Sequence, residues 1–166
     1  MKTKIRTEIS NNHAMGCVYR HMHIQVLTGR YNRKDVRHLE TMGTITFQAN
    51  VHEPDNWYAM KFVIETDKPD YIKRMAQLAK FIKDKRSGFD AQPKEILELI
   101  GAEEHILFDG EFFPASYKGK TIYDVMLFGN SHYTTIVADD EASAQKILDK
   151  MKLDKPTLEF NQVITF

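Results

Sequence analysis

Thr44-Ile45-Thr46-Phe47-Gln48-Ala49-Asn50-Val51, followed by His52-Glu53-Pro54-Asp55-Asn56 and then by Trp57-Tyr58-Ala59-Met60-Lys61-Phe62-Val63-Ile64-Glu65-Thr66, decides how the chain is read. Apolar and polar residues alternate through both arms, the period of a strand with one face buried. Ile45, Phe47, Ala49 and Val51 would face a core from the first arm, and Tyr58, Met60, Phe62 and Ile64 from the second. The residues between are turn formers, so the two arms predict an antiparallel hairpin. Directly after it, Asp67 to Arg86 places Tyr71, Ile72, Met75, Leu78, Ala79 and Ile82 at the spacing of one stripe along an α-helix. Asp67 is positioned as a cap, Pro69 stands in the first turn, and Gly88 follows as a stop signal.

On the N-terminal side, residues 2–9 alternate weakly, with Ile5 and Ile9 on one side of an expected edge strand, and Asn11-Asn12 marks a turn. Val18 to Leu27 has the strand period, with Val18, Met22, Ile24 and Val26 inward and Arg20 interrupting them. Thr28 to Asn32 reads as a loop and Asp35 to Thr41 as a helical turn.

On the C-terminal side, Pro93 opens a short helix with a stripe of Ile96, Leu97 and Ile100, ended by Gly101. Asp109-Gly110 places a tight turn inside His105–Phe113. Thr121–Phe128 and His132–Ala138 form a hairpin around Gly129-Asn130-Ser131, a helix follows from Asp140 to Leu153, and Pro156 opens a last strand. Hairpins without regular βαβ alternation predict an α+β fold, a mostly antiparallel sheet packed by two or three helices. The closing strand–strand–helix–strand run resembles part of a ferredoxin-like sandwich. The 166 residues fit a single domain, with one hinge between Gly88 and Pro93 that would divide it into two lobes near 87–93.

With 42% hydrophobic and 28% charged residues the chain is ordinary for a globular protein, which excludes disorder as its working state. Cys17 is the single cysteine, so no internal disulfide forms. No apolar run approaches the roughly 20 residues of a membrane span. No apolar stretch follows the basic start at Lys2, Lys4 and Arg6 either. A cytoplasmic protein with no membrane partner is the expectation. The small size and the scatter of Met, Tyr and Phe resemble those of stand-alone phage accessory proteins.

The formal net charge of zero is unevenly spread: residues 1–40 carry +5, 41–67 carry −3, 68–86 carry +5 and 87–166 carry −7. Tyr19, Arg20, Arg30, Tyr31, Arg33, Lys34 and Arg37 combine rings with cations, and Lys73, Lys80 and Lys83 lie on the polar side of the long helix. Stacking on Tyr and pairing of phosphates with Arg is one way single-stranded nucleic acid is held. The same cations would attract an acidic protein surface.

Two smaller constellations carry possible chemistry. His21 and His23 project from one face of a strand, and Cys17 with His13 or His38 would complete a nitrogen–sulfur shell suited to zinc. His132-Tyr133-Thr134, leading into Ile136-Val137, resembles one half of the signature of the two-histidine phosphoesterases. In that family each His-x-Thr/Ser step supplies an imidazole and a hydroxyl, and the two copies divide general acid from general base. No other histidine here is followed two residues later by a hydroxyl. Phosphate-cradling glycine loops and nucleophile elbows are absent from the sequence, and the pairs Glu103-Glu104 and Asp139-Asp140 read as helix-end caps. The expected function is therefore a non-enzymatic binding or regulatory protein with an acidic protein or nucleic-acid partner. A small phosphoesterase or metal-dependent enzyme using His132, Thr134 and another histidine is the alternative.

Overall fold

The computed structural model describes residues 2–12, 14–29, 38–86 and 91–166, with 84–86 described by backbone alone. Four strands, Thr3–Asn12 (β1), Cys17–Leu27 (β2), Leu39–Asn50 (β3) and Tyr58–Ile64 (β4), precede the helices Pro69–Arg86 (α1) and Pro93–Ile100 (α2). Then come Glu104–Phe108 (β5), Glu111–Pro114 (β6), Thr121–Leu127 (β7), Ser131–Ala138 (β8), Glu141–Lys150 (α3) and Thr157–Val163 (β9). One sheet has the order β4-β3-β2-β1-β5-β6, the other β8-β7-β9. Every pairing is antiparallel except β1 with β5, so the fold is α+β as the hairpins implied. The chain divides into two compact units, Met1–Ala115 and Ser116–Phe166. The division expected near 87–93 falls within the first unit, and residues 87–90 lie outside those described.

In the first unit, Met22, Ile24 and Val26 of β2, Ile45, Phe47 and Ala49 of β3, and Met75, Leu78 and Ile82 of α1 form one buried cluster. The helix can approach because β3 carries Gly43: a Cβ there would stand 2.8 Å from the Val63 carbonyl oxygen and 3.1 Å from the Met75 sulfur. Gln92 ties α2 to β4, accepting from the Trp57 N–H at 3.2 Å and donating back to the Trp57 carbonyl.

Two expectations change. The strand β1 is not an edge, because Ile5, Arg6 and Thr7 pair in parallel with Glu104, His105 and Ile106, a long-range contact no local pattern reveals. A β-bulge in the β3–β4 ladder puts Ala59 opposite Phe47, so Ala59 is buried while Tyr58 and Met60 are exposed rather than inward. Asp109 and Gly110 both have positive φ, 49° and 75°, the geometry of the tight hairpin turn joining β5 and β6.

In the second unit, β8 and β9 both run antiparallel to β7, which lies between them, and α3 connects them. This split β-α-β arrangement is the ferredoxin-like element expected from the sequence. Ala144 and Leu148 of α3 pack on Tyr123, Val125, Ile136 and Ala138. Asp140 caps α3, its carboxylate accepting the Ser143 N–H at 2.7 Å, and this bond holds the Asp140 carboxyl below its ordinary range.

Candidate functional site

The polar side of α1 is an exposed one among the sites the sequence marks. The helix buries Met75, Leu78 and Ile82 against the sheet, which turns Lys73, Lys80 and Lys83 outward, all exposed. Among the described residues none of the three has a carboxylate within ion-pair distance, whereas Lys68, at the foot of the helix, is held by Glu40 at 2.6 Å. Over the ten steps from Lys73 to Lys83 the helix rises roughly 15 Å, enough to meet several charges of a partner.

Arg20 does not belong to that surface. Alternation along β2 places it on the core face, where its Nε donates to Glu104 Oε1 at 2.9 Å and its Nη2 to Glu104 Oε2. Glu104 also accepts from the Thr7 hydroxyl at 2.7 Å, and the guanidinium stands 5.5 Å from the centre of the Trp57 ring. A guanidinium largely withdrawn from water must be paired, and the partner of Arg20, which is part-buried, comes from a strand 84 residues later. Glu104 is thus a core counterion rather than a helix-end cap, a role with no local signal.

Tyr19 lies on the opposite face of the sheet from α1, its ring stacked with that of His21 at 6.4 Å between centroids. It shares no surface with the helix lysines. Arg30, Tyr31, Arg33, Lys34 and Arg37 lie outside the described residues.

His21 and His23 do share a face, but each is occupied by a neighbouring strand: Nδ1 of His21 lies 3.2 Å from Thr46 Oγ1 and Nδ1 of His23 lies 3.0 Å from Thr44 Oγ1. Thr44 gives its hydroxyl proton to Glu65, so it accepts from His23, whose Nε2 faces Glu8 at 3.6 Å. Cys17 receives a bond from Gln48 at 2.9 Å and donates to the Met15 carbonyl. It lies four strand steps from His21, about 13 Å. Among the described residues no group of three or more His, Cys, Asp or Glu is placed to hold a metal ion, and His13 is not among them.

The His132–Thr134 step is broken by a bulge. Met126 pairs with His132 but Val125 pairs with Thr134, so Tyr133 is the extra residue and its neighbours point to opposite faces. His132 meets Asp124 at 3.3 Å on the open face, where Asn161 donates to the same carboxylate at 3.0 and 3.2 Å. Thr134 stands beside the buried Val125 on the helix side. The second unit contains no other histidine.

His105 was absent from the sequence-marked sites, yet it is 6% exposed and lies beside Arg6. Burial, and then the charge of Lys4, hold its imidazole below the usual range, so the folded chain keeps it neutral. Between that lowered value and the ordinary 6.5 the unfolded chain binds more protons, so stability rises with pH there and is lost on acidification. His105→Gln is expected to flatten the fall in urea midpoint between neutral and mildly acidic pH. An unchanged pH profile would contradict this.

Comparison with known protein families, with curated proteins and with solved structures gives no significant match.

Proposed function

We propose that the protein is a non-enzymatic binding or regulatory protein that engages an acidic partner through the outer face of α1. The partner chemistry is that of carboxylates on a protein face or phosphates of a nucleic acid. The observation that supports this reading is the stripe of Lys73, Lys80 and Lys83, exposed and without an ion-pair partner among the described residues. One exposed ion pair contributes only about 0.2–1 kcal/mol. Several acting together raise both affinity and encounter rate, and they make the interaction sensitive to salt.

Retention on a heparin column tests it. The variant Lys73→Glu/Lys80→Glu/Lys83→Glu is expected to elute at clearly lower salt than the wild type. With a nucleic acid, loss of three phosphate contacts would reduce the slope of log affinity against log salt by about 2–3. All three side chains are exposed, so the far-UV circular dichroism should not change. Equal retention of the two proteins would remove the proposal.

A further inference from the structure

Among the described residues the two sheets end in four edge strands, β4, β6, β8 and β9. An edge strand shows a row of unpaired N–H and C=O groups, which proteins blunt with lysine, proline, a bulge or sheer shortness. The strand β6 is four residues long and ends in Pro114, and β4 carries Lys61 beside its bulge. The strand β8 opens on the exposed polar pair Ser131-His132 and is bent at Tyr133. The seven residues of β9, Thr157 to Val163, include neither lysine nor proline, and the bulge at Asn161 is all that blunts them.

The exposed side chains of β9 are apolar. Phe160 pairs with Tyr123 and Val163 with Thr121, two residues apart on β7, so both lie on the α3 side of the sheet. The Phe160 ring meets that of Tyr123 edge to face at 6.4 Å between centroids, yet it remains 67% exposed, and Val163 is 39% exposed. A second copy of the same edge is complementary to this one. Antiparallel self-pairing centred on Phe160 sets ring against ring, Glu159 against Asn161 and Leu158 against Gln162, with no like charges opposed. Centring it one residue earlier would set Glu159 against itself, and one residue later would part the rings. The β4 edge fails the same test, because pairing about its midpoint opposes two Lys61 ammoniums.

We infer that β9 pairs with β9 of a second copy of this chain, antiparallel across a two-fold axis at Phe160. The two three-stranded sheets then join into one of six strands, and a single isologous contact covers both rings. Seven residues give about 23 Å of edge, and each ring carries roughly 150–250 Å² of surface. The contact falls at the small end of specific interfaces, below about 1,200 Å² in total, so the dimer is weak and depends on concentration. Its surface belongs to the second unit and the lysine stripe to the first, so either reading can fail without the other.

Sedimentation velocity of the full chain, from micromolar to several hundred micromolar loading, tests the inference. The wild type is expected to pass from monomer to dimer across that range. Phe160→Lys, which gives β9 the kind of residue that blunts β4, is expected to weaken the dimer by at least about tenfold. Should that variant lose the far-UV circular dichroism of the wild type, Val163→Lys is measured in its place, with a smaller loss expected. Met60→Lys, at an exposed position of the β4 edge, should leave the dimer unchanged, and so should the triple lysine reversal on α1. A chain that stays monomeric at every loading, a dimer that both β9 variants leave intact, or a dimer lost in Met60→Lys would each overturn the inference.

Discussion

Glu104→Ala is expected to destabilise the first unit by roughly 3–5 kcal/mol, the usual cost of leaving a buried charge without its partner. The Glu104 side chain is 3% exposed and the Arg20 side chain 16%, so water reaches neither freely. Removing the carboxylate strands the guanidinium on the core face and deprives the Thr7 hydroxyl of its acceptor. Urea unfolding followed by the fluorescence of Trp57, the single tryptophan, reports this unit directly, because the ring is buried beside Arg20. Replacing both partners, Arg20→Met with Glu104→Met, is expected to recover most of the loss, since a well-packed apolar pair of similar volume is often no worse than a buried ion pair. A shift below about 1 kcal/mol for the single variant would place the pair in the weak class of solvent-exposed ion pairs.

Phe47→Ala is expected to cost about 3–5 kcal/mol, the lost transfer energy of the ring plus the cavity it leaves. Phe47 is fully buried in the centre of β3, opposite Arg20 on one side and Ala59 on the other. Neither neighbour can collapse into the space, because one is held by Glu104 and the other is a methyl group. The same fluorescence-monitored urea titration measures it. A midpoint shift no larger than that of an exposed substitution such as Lys94→Ala would contradict the placement of this ring in the core.

The parts of the fold that were legible are those set by short-range periodicity. The stripe of Met75, Leu78 and Ile82 made α1 visible, and Asp109-Gly110 made the β5–β6 turn visible. What escaped is where one residue shifts the parity. The extra residues at Met60 and Tyr133 each reverse the faces that alternation assigns, and Asn161 does the same where β9 pairs with β7. Phe160 and Ile164, which strict alternation would put on one face of the last strand, are 67% exposed and fully buried respectively. Long-range pairing was equally invisible: nothing near Ile5 announces Glu104 as its neighbour. The candidate site shows the same limits. Lys73, Lys80 and Lys83 follow from the polar side of a helix, but Tyr19 and Arg20, adjacent in sequence, point to opposite faces of β2, and only one of those faces meets α1.

The lysine face of α1 as the contact for an acidic partner is tested most directly by a ¹H–¹⁵N NMR titration with a heparin oligosaccharide at low salt. The expected result is a set of progressive shifts centred on the amides from Lys73 to Lys83, reversed by added salt. Shifts confined to other elements, with those α1 amides unmoved, would contradict it.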